Sequence, residues 1–86
     1  MKRIFPIPSA RGTKELERLQ FDLGARIAKA RKEHRYTQEQ LAEQMSVSRQ
    51  AISHWENGDS LPNYEMLVRL MDVLHMTADE LLPARE

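Results

Sequence analysis

From Thr13 onward, apolar residues recur along this chain at spacings of three and four, the period of a helix with one buried face. Leu16, Leu19, Leu23 and Ile27 make the first such stripe, with Lys, Glu and Arg between them. Asp22 and Gly24 fall inside it. They permit either one helix from Thr13 to about His34, or a short helix followed by a second one capped at Asp22. The stretch Met1 to Gly12 carries two prolines and a glycine and keeps neither a strand nor a helix period. It reads as an extended arm.

Four shorter elements follow. Thr37-Gln38-Glu39-Gln40 spells a capping box, in which the Thr37 hydroxyl accepts from the Gln40 N–H and the Gln40 side chain reaches back. The helix it opens has Leu41, Ala42 and Met45 as its apolar positions. After Ser46-Val47, Ser48 is a suitable N-cap for a helix from Arg49 to Glu56, which Asn57-Gly58 ends by admitting left-handed backbone. Asp59-Ser60-Leu61-Pro62 is a loop. Asn63 then caps a helix with Leu67, Leu70, Met71 and Leu74 on one side, and Thr77-Ala78-Asp79-Glu80 is a second capping box opening a short helix through Leu82 that Pro83 stops. No segment alternates apolar and polar residues over the length of a strand, so an all-α fold is expected.

Length and composition narrow the function classes. The 86 residues allow one small domain, and the lack of cysteine excludes disulfides, thiolate metal sites and a thiol nucleophile. Such a chain suits a reducing compartment, and a cytoplasmic location is expected. Nothing approaches the roughly 20 apolar residues of a membrane span, and the basic start lacks the apolar core of a secretory signal. His34, His54 and His75 fall on different predicted helices with no His-x-x-x-His pair, so no metal site is expected. No acidic residue is paired with a nucleophile or a glycine-rich loop, which gives no reason to expect an enzyme or a cofactor. Met45, Met66, Met71 and Met76 sit at helical spacings and read as core fillers.

The formal net charge is zero, which at first argues against a nucleic-acid partner. It is a balance of unlike halves. Residues 1–35 hold ten basic and four acidic groups, a net +6; residues 36–86 hold three and nine, a net −6. Solvated faces that pair within the molecule are the ordinary explanation of such asymmetry. A basic N-terminal side turned toward a polyanion is the sharper one.

The helix from Arg49 to Glu56 separates its residues by type. At about 100° per residue, Arg49, Gln50, Ser53 and His54 share one face, while Ile52 and Trp55 lie on the other as core anchors. Polar helix faces are ordinarily just solvated. Here, however, lysine and glutamate, their usual fillers, are absent. Arginine and glutamine near the start of a helix after a three-residue turn are the side chains that read base edges, Arg on guanine and Gln on adenine.

The run from Thr37 to Gly58, TQEQLAEQMSVSRQAISHWENG, closely resembles the helix-turn-helix of the phage-repressor-like (Xre/Cro) transcriptional regulators. The likeness continues through Leu61-Pro62, the Leu67/Leu70 helix and Asp79-Glu80-Leu81-Leu82, and begins near Leu23. One departure is Ser46, where the family commonly has glycine; serine takes a left-handed turn only at some cost. The resemblance implies a compact five-helix, lambda-repressor-like DNA-binding domain over residues 23–82. A basic arm, residues 1–22, precedes it, and a tail, residues 83–86, follows. Arg49–Glu56 becomes the recognition helix of the major groove. Arg49, Gln50 and His54 read bases, with Ser53 at shorter range. Gln38, Ser48, Asn57, Asn63 and Tyr64 hold phosphates. Arg31 and Glu56 form a structural ion pair, and Lys2, Arg3 and Arg11 are the candidate DNA-contacting residues of the arm.

Double-stranded DNA is thus the expected partner, bound by a homodimer, because one small module buries too little surface for tight specific binding. Val73, Met76 and Leu82, on the fourth and fifth helices, are the candidate interface. The rival reading is a protein-binding module such as an antitoxin, which would grip a toxin by the arm, through Ile4, Phe5 and Ile7, or by its acidic C-terminal half. Divided at the motif domain, the charge is +2 for residues 1–22 and −2 for residues 23–86. A domain that is itself not basic should depend on the arm, the dimer and base contacts.

Overall fold

The computed structural model describes the backbone of residues 10–82 and the side chains of residues 14–82. Five helices follow one another: α1 (Ala10–Glu33), α2 (Gln38–Met45), α3 (Arg49–Asn57), α4 (Tyr64–Val73) and α5 (Ala78–Leu81). There is no strand among the described residues, and the all-α expectation holds.

Between the two alternatives for the first stripe, the fold takes the unbroken helix. It also starts earlier: Ala10, Arg11 and Gly12 are helical rather than part of an extended arm. Gly24 does not interrupt α1 but serves its packing. A Cβ there would overlap the carbonyl oxygens of Trp55 and Glu56, so only glycine lets α1 cross so close to the last turn of α3. One turn earlier, the Phe21 backbone lies beside Gly58.

Capping fixes where the remaining helices begin. Thr37 and Thr77 form complete capping boxes with Gln40 and Glu80, and the side chains of Ser48 and Asn63 accept from Ala51 and Met66 N–H. Ser46 ends α2 at φ 57°, ψ 42° and donates its N–H to carbonyls of the last turn, so the turn uses left-handed backbone without a glycine. Gly58 does the same for α3 at φ 79°. As a result α3 runs one residue beyond Glu56, to Asn57, and α5 ends one residue short, with Leu82 as its C-cap.

The core draws on every helix. Ile27, Leu41, Met45, Ile52, Leu70, Leu74 and Leu81 are fully buried, with Leu23, Ala30, Ala42 and Trp55 around them. Arg69 donates to the Met45 carbonyl at 3.0 Å and so ties α4 to the end of α2. Val73 and Met76, expected at a dimer interface, are half-buried and pack against this core; of the three candidates only Leu82, 45% exposed, stands well out.

Before Leu23, α1 continues past the core. Leu16 lies in register with the buried stripe yet is 50% exposed, because little of the domain reaches that far. The described residues span 48 × 23 × 20 Å. No helix among the described residues is long and apolar enough to cross a membrane.

Candidate nucleic-acid interface

Burial of Ile52 and Trp55 fixes how α3 is rotated, and that rotation turns Arg49, Gln50 and His54 into solvent, with Ser53 half-buried between them. Trp55 is 7% exposed and belongs to the core, so it is not available to stack on a base. Asn57 continues the exposed face by one turn and donates to the Ser53 hydroxyl at 3.5 Å.

Behind this face lies a chain of charged and polar groups that crosses three helices. Arg31 of α1 grips Glu56 of α3 with both prongs of its guanidinium, Nε to Oε2 at 2.5 Å and Nη2 to Oε1 at 3.1 Å. Both side chains are nearly buried, at 11% and 6% exposure. Removing a carboxylate this far from water is unfavourable unless its lone pairs are filled. The third donor is Gln38 of α2, whose amide nitrogen reaches Glu56 Oε1 at 3.0 Å. With its nitrogen so engaged, the Gln38 carbonyl oxygen points outward and accepts from Arg49 Nη1 at 3.2 Å. Arg31 also donates to the Tyr36 carbonyl at 2.8 Å, holding the α1–α2 connection to the same cluster.

Arg49 is therefore not a free surface arginine. Its guanidinium is aimed by a relay that ends in a buried ion pair. Gln38, assigned to phosphate by resemblance, is shared between Glu56 and Arg49, and only its remaining amide hydrogen is uncommitted. Sequence reasoning gave no sign of this, since Gln38 lies eleven residues from Arg49 and eighteen from Glu56.

The other phosphate candidates sit at helix starts. Ser48 Oγ accepts from Ala51 N–H at 3.0 Å and Asn63 Oδ1 from Met66 N–H at 2.9 Å. Each cap leaves a donor over, the Ser48 hydroxyl hydrogen and the Asn63 amide nitrogen, which an anion at the first turn can use. Tyr64, 81% exposed, follows directly. Lys2 and Arg3 lie outside the described residues, as do Ile4, Phe5 and Ile7. Arg11 is on α1, its side chain not among those described.

A short helix, a three-residue turn opened by left-handed Ser46, and a second helix with Arg49, Gln50 and His54 exposed around a half-buried Ser53 make up the arrangement. A helix-turn-helix family profile matches residues 27–81, most of the chain. The chain belongs to the phage-repressor-like helix-turn-helix family of transcriptional regulators. It is similar to the transcriptional activator BcrR of Enterococcus faecalis, 54% identical over 50 residues that make up 58% of this chain and 24% of that protein. It is also similar to the cryptic phage CTXphi transcriptional repressor RstR of Vibrio cholerae, 38% identical over 65% of this chain and 50% of that protein. A solved transcriptional regulator from Listeria innocua superimposes with a TM-score of 0.67 at 28% identity, covering 74% of this chain and 61% of that one. The helix-turn-helix chain thus spans a quarter to a half of these two curated relatives. The family match starts at Ile27 within α1, leaving the preceding helical residues outside it.

Proposed function

We propose that the protein is a sequence-specific reader of double-stranded DNA that represses transcription from an inverted-repeat operator. The observation that carries this reading is the face of α3 on which Arg49, Gln50 and His54 are exposed around a half-buried Ser53, with Arg49 oriented by Gln38 on the nearly buried Glu56. In the major groove Arg49 and Gln50 would each make a paired contact to one base edge, His54 would read the next step, and Ser53 would approach most closely. Gln38, Ser48, Asn57, Asn63 and Tyr64 would hold the flanking phosphates and set the register. Two copies on a two-fold site would place their recognition helices about 34 Å apart. The repressor role draws support from RstR, while BcrR is an activator. Reading DNA asks nothing of the chain as a catalyst.

Selection of bound sequences from a random duplex library tests the proposal. A two-fold symmetric motif is expected; recovery of unrelated sequences by the purified protein would remove it. A second reading, that α1 also receives a protein partner, is favoured by Leu16 and Phe21, 50% and 62% exposed on the part of α1 that precedes the family match.

A further inference from the structure

Far apart in the sequence, His34 and His75 meet in the fold. Their ring centroids are 5.6 Å apart, inclined at 42°. Each follows a helix end: the His34 N–H closes on the Ala30 carbonyl at the end of α1, and His75 takes left-handed backbone, φ 53°, just after α4. Tyr36 backs the His34 ring in a near-parallel stack at 6.3 Å. The pair stands at the wall of an open cavity of about 580 Å³, lined also by Arg26, Lys29, Glu33 and Met76.

We propose that His34 and His75 form a two-imidazole site for a divalent transition-metal ion of the zinc or nickel kind, bridging the ends of α1 and α4. At the usual zinc–nitrogen distance, the ion lies about 3.2 Å from each ring centroid, so two rings sharing it at a tetrahedral angle stand about 5.2 Å apart. The observed 5.6 Å is close to that separation. Both side chains are exposed, so their rings can turn a nitrogen toward a common point without disturbing the core. The surroundings carry both signs. Two helix C-termini and Glu33 favour a cation, and Arg26 and Lys29 oppose one. Arg26, however, is drawn toward the α5 end, where its Nη1 donates to the Glu80 carbonyl at 3.0 Å. Glu80 is likewise committed, its carboxylate accepting from Thr77 N–H. Among the described residues no third histidine, acidic or cysteine side chain completes a protein-only cage. The remaining positions therefore fall to water, and imidazole preference selects zinc, nickel or copper over magnesium and calcium.

The test is titration of the full chain with zinc chloride and with nickel chloride, followed by calorimetry and by the thermal midpoint. One ion per chain is expected to bind and raise the midpoint. His34→Ala and His75→Ala should each weaken binding by about tenfold or more, and His54→Ala should leave it unchanged. Circular dichroism of each variant establishes that it is folded, and His34→Gln and His75→Gln replace any that is not. Failure of both ions to bind at millimolar concentration overturns the site. So does undiminished affinity in the His34→Ala/His75→Ala double variant, or half an ion per chain, which would place the metal between two copies.

Discussion

Glu56 joins two functions in one carboxylate. It neutralises Arg31 inside the domain and, through Gln38, orients Arg49 outside it. Removing one member of a nearly buried pair leaves the other charge stranded, so Glu56→Ala should lower stability by about 3–5 kcal/mol in urea unfolding. Arg49→Ala touches only the exposed end of the relay. It should leave the unfolding midpoint almost unmoved and weaken binding to the selected site by about 1–3 kcal/mol, with preference relaxed at one base position. Equal weakening on selected and random duplexes would deny Arg49 a reading role. At this scale the sequence was partly readable. Helical phase alone separates Arg49, Gln50, Ser53 and His54 from Ile52 and Trp55, whereas pairing of Arg31 with Glu56 follows only from the family resemblance. The Gln38 relay was not legible, because it depends on three helices meeting at angles that no local rule sets.

Helix boundaries were legible wherever a side chain closes onto backbone within three residues, as at Thr37, Ser48, Asn63 and Thr77. Glycine was harder to read. The signal at Gly24 fits a helix break as well as a helix crossing, and only the carbonyls of Trp55 and Glu56 decide for the crossing. Gly24→Ala should therefore destabilise the fold by about 1–3 kcal/mol even though alanine is the better helix former. Ser46 behaves in the opposite way. At φ 57° it holds left-handed backbone that glycine adopts freely, so Ser46→Gly should raise stability by about 0.5–1 kcal/mol, less than the full strain because glycine also loosens the unfolded chain. Thermal melts of the two variants, moving in opposite directions, check both expectations.

For the whole molecule, zero net charge divides into −2 over residues 23–86 and +2 over residues 1–22. If Lys2 and Arg3 lie on phosphates, removal of residues 1–9, which spares α1, should make the salt dependence of DNA binding shallower by about 0.9 per lost contact. An unchanged slope would take those two residues off the DNA. The reach of α1 escaped the sequence for a related reason: its apolar stripe continues from Ile27 back to Leu16, but periodicity says nothing about where the rest of the core stops.

That protruding helix also governs how the protein behaves in a flowing column. The described residues alone make a body 48 Å long and little more than 20 Å across, which drags more solvent than a sphere of equal mass. A single copy should elute ahead of compact standards of its own weight and imitate a pair. Sedimentation equilibrium or light scattering, which weigh the particle without regard to its outline, are therefore the measurements on which a dimer should be claimed.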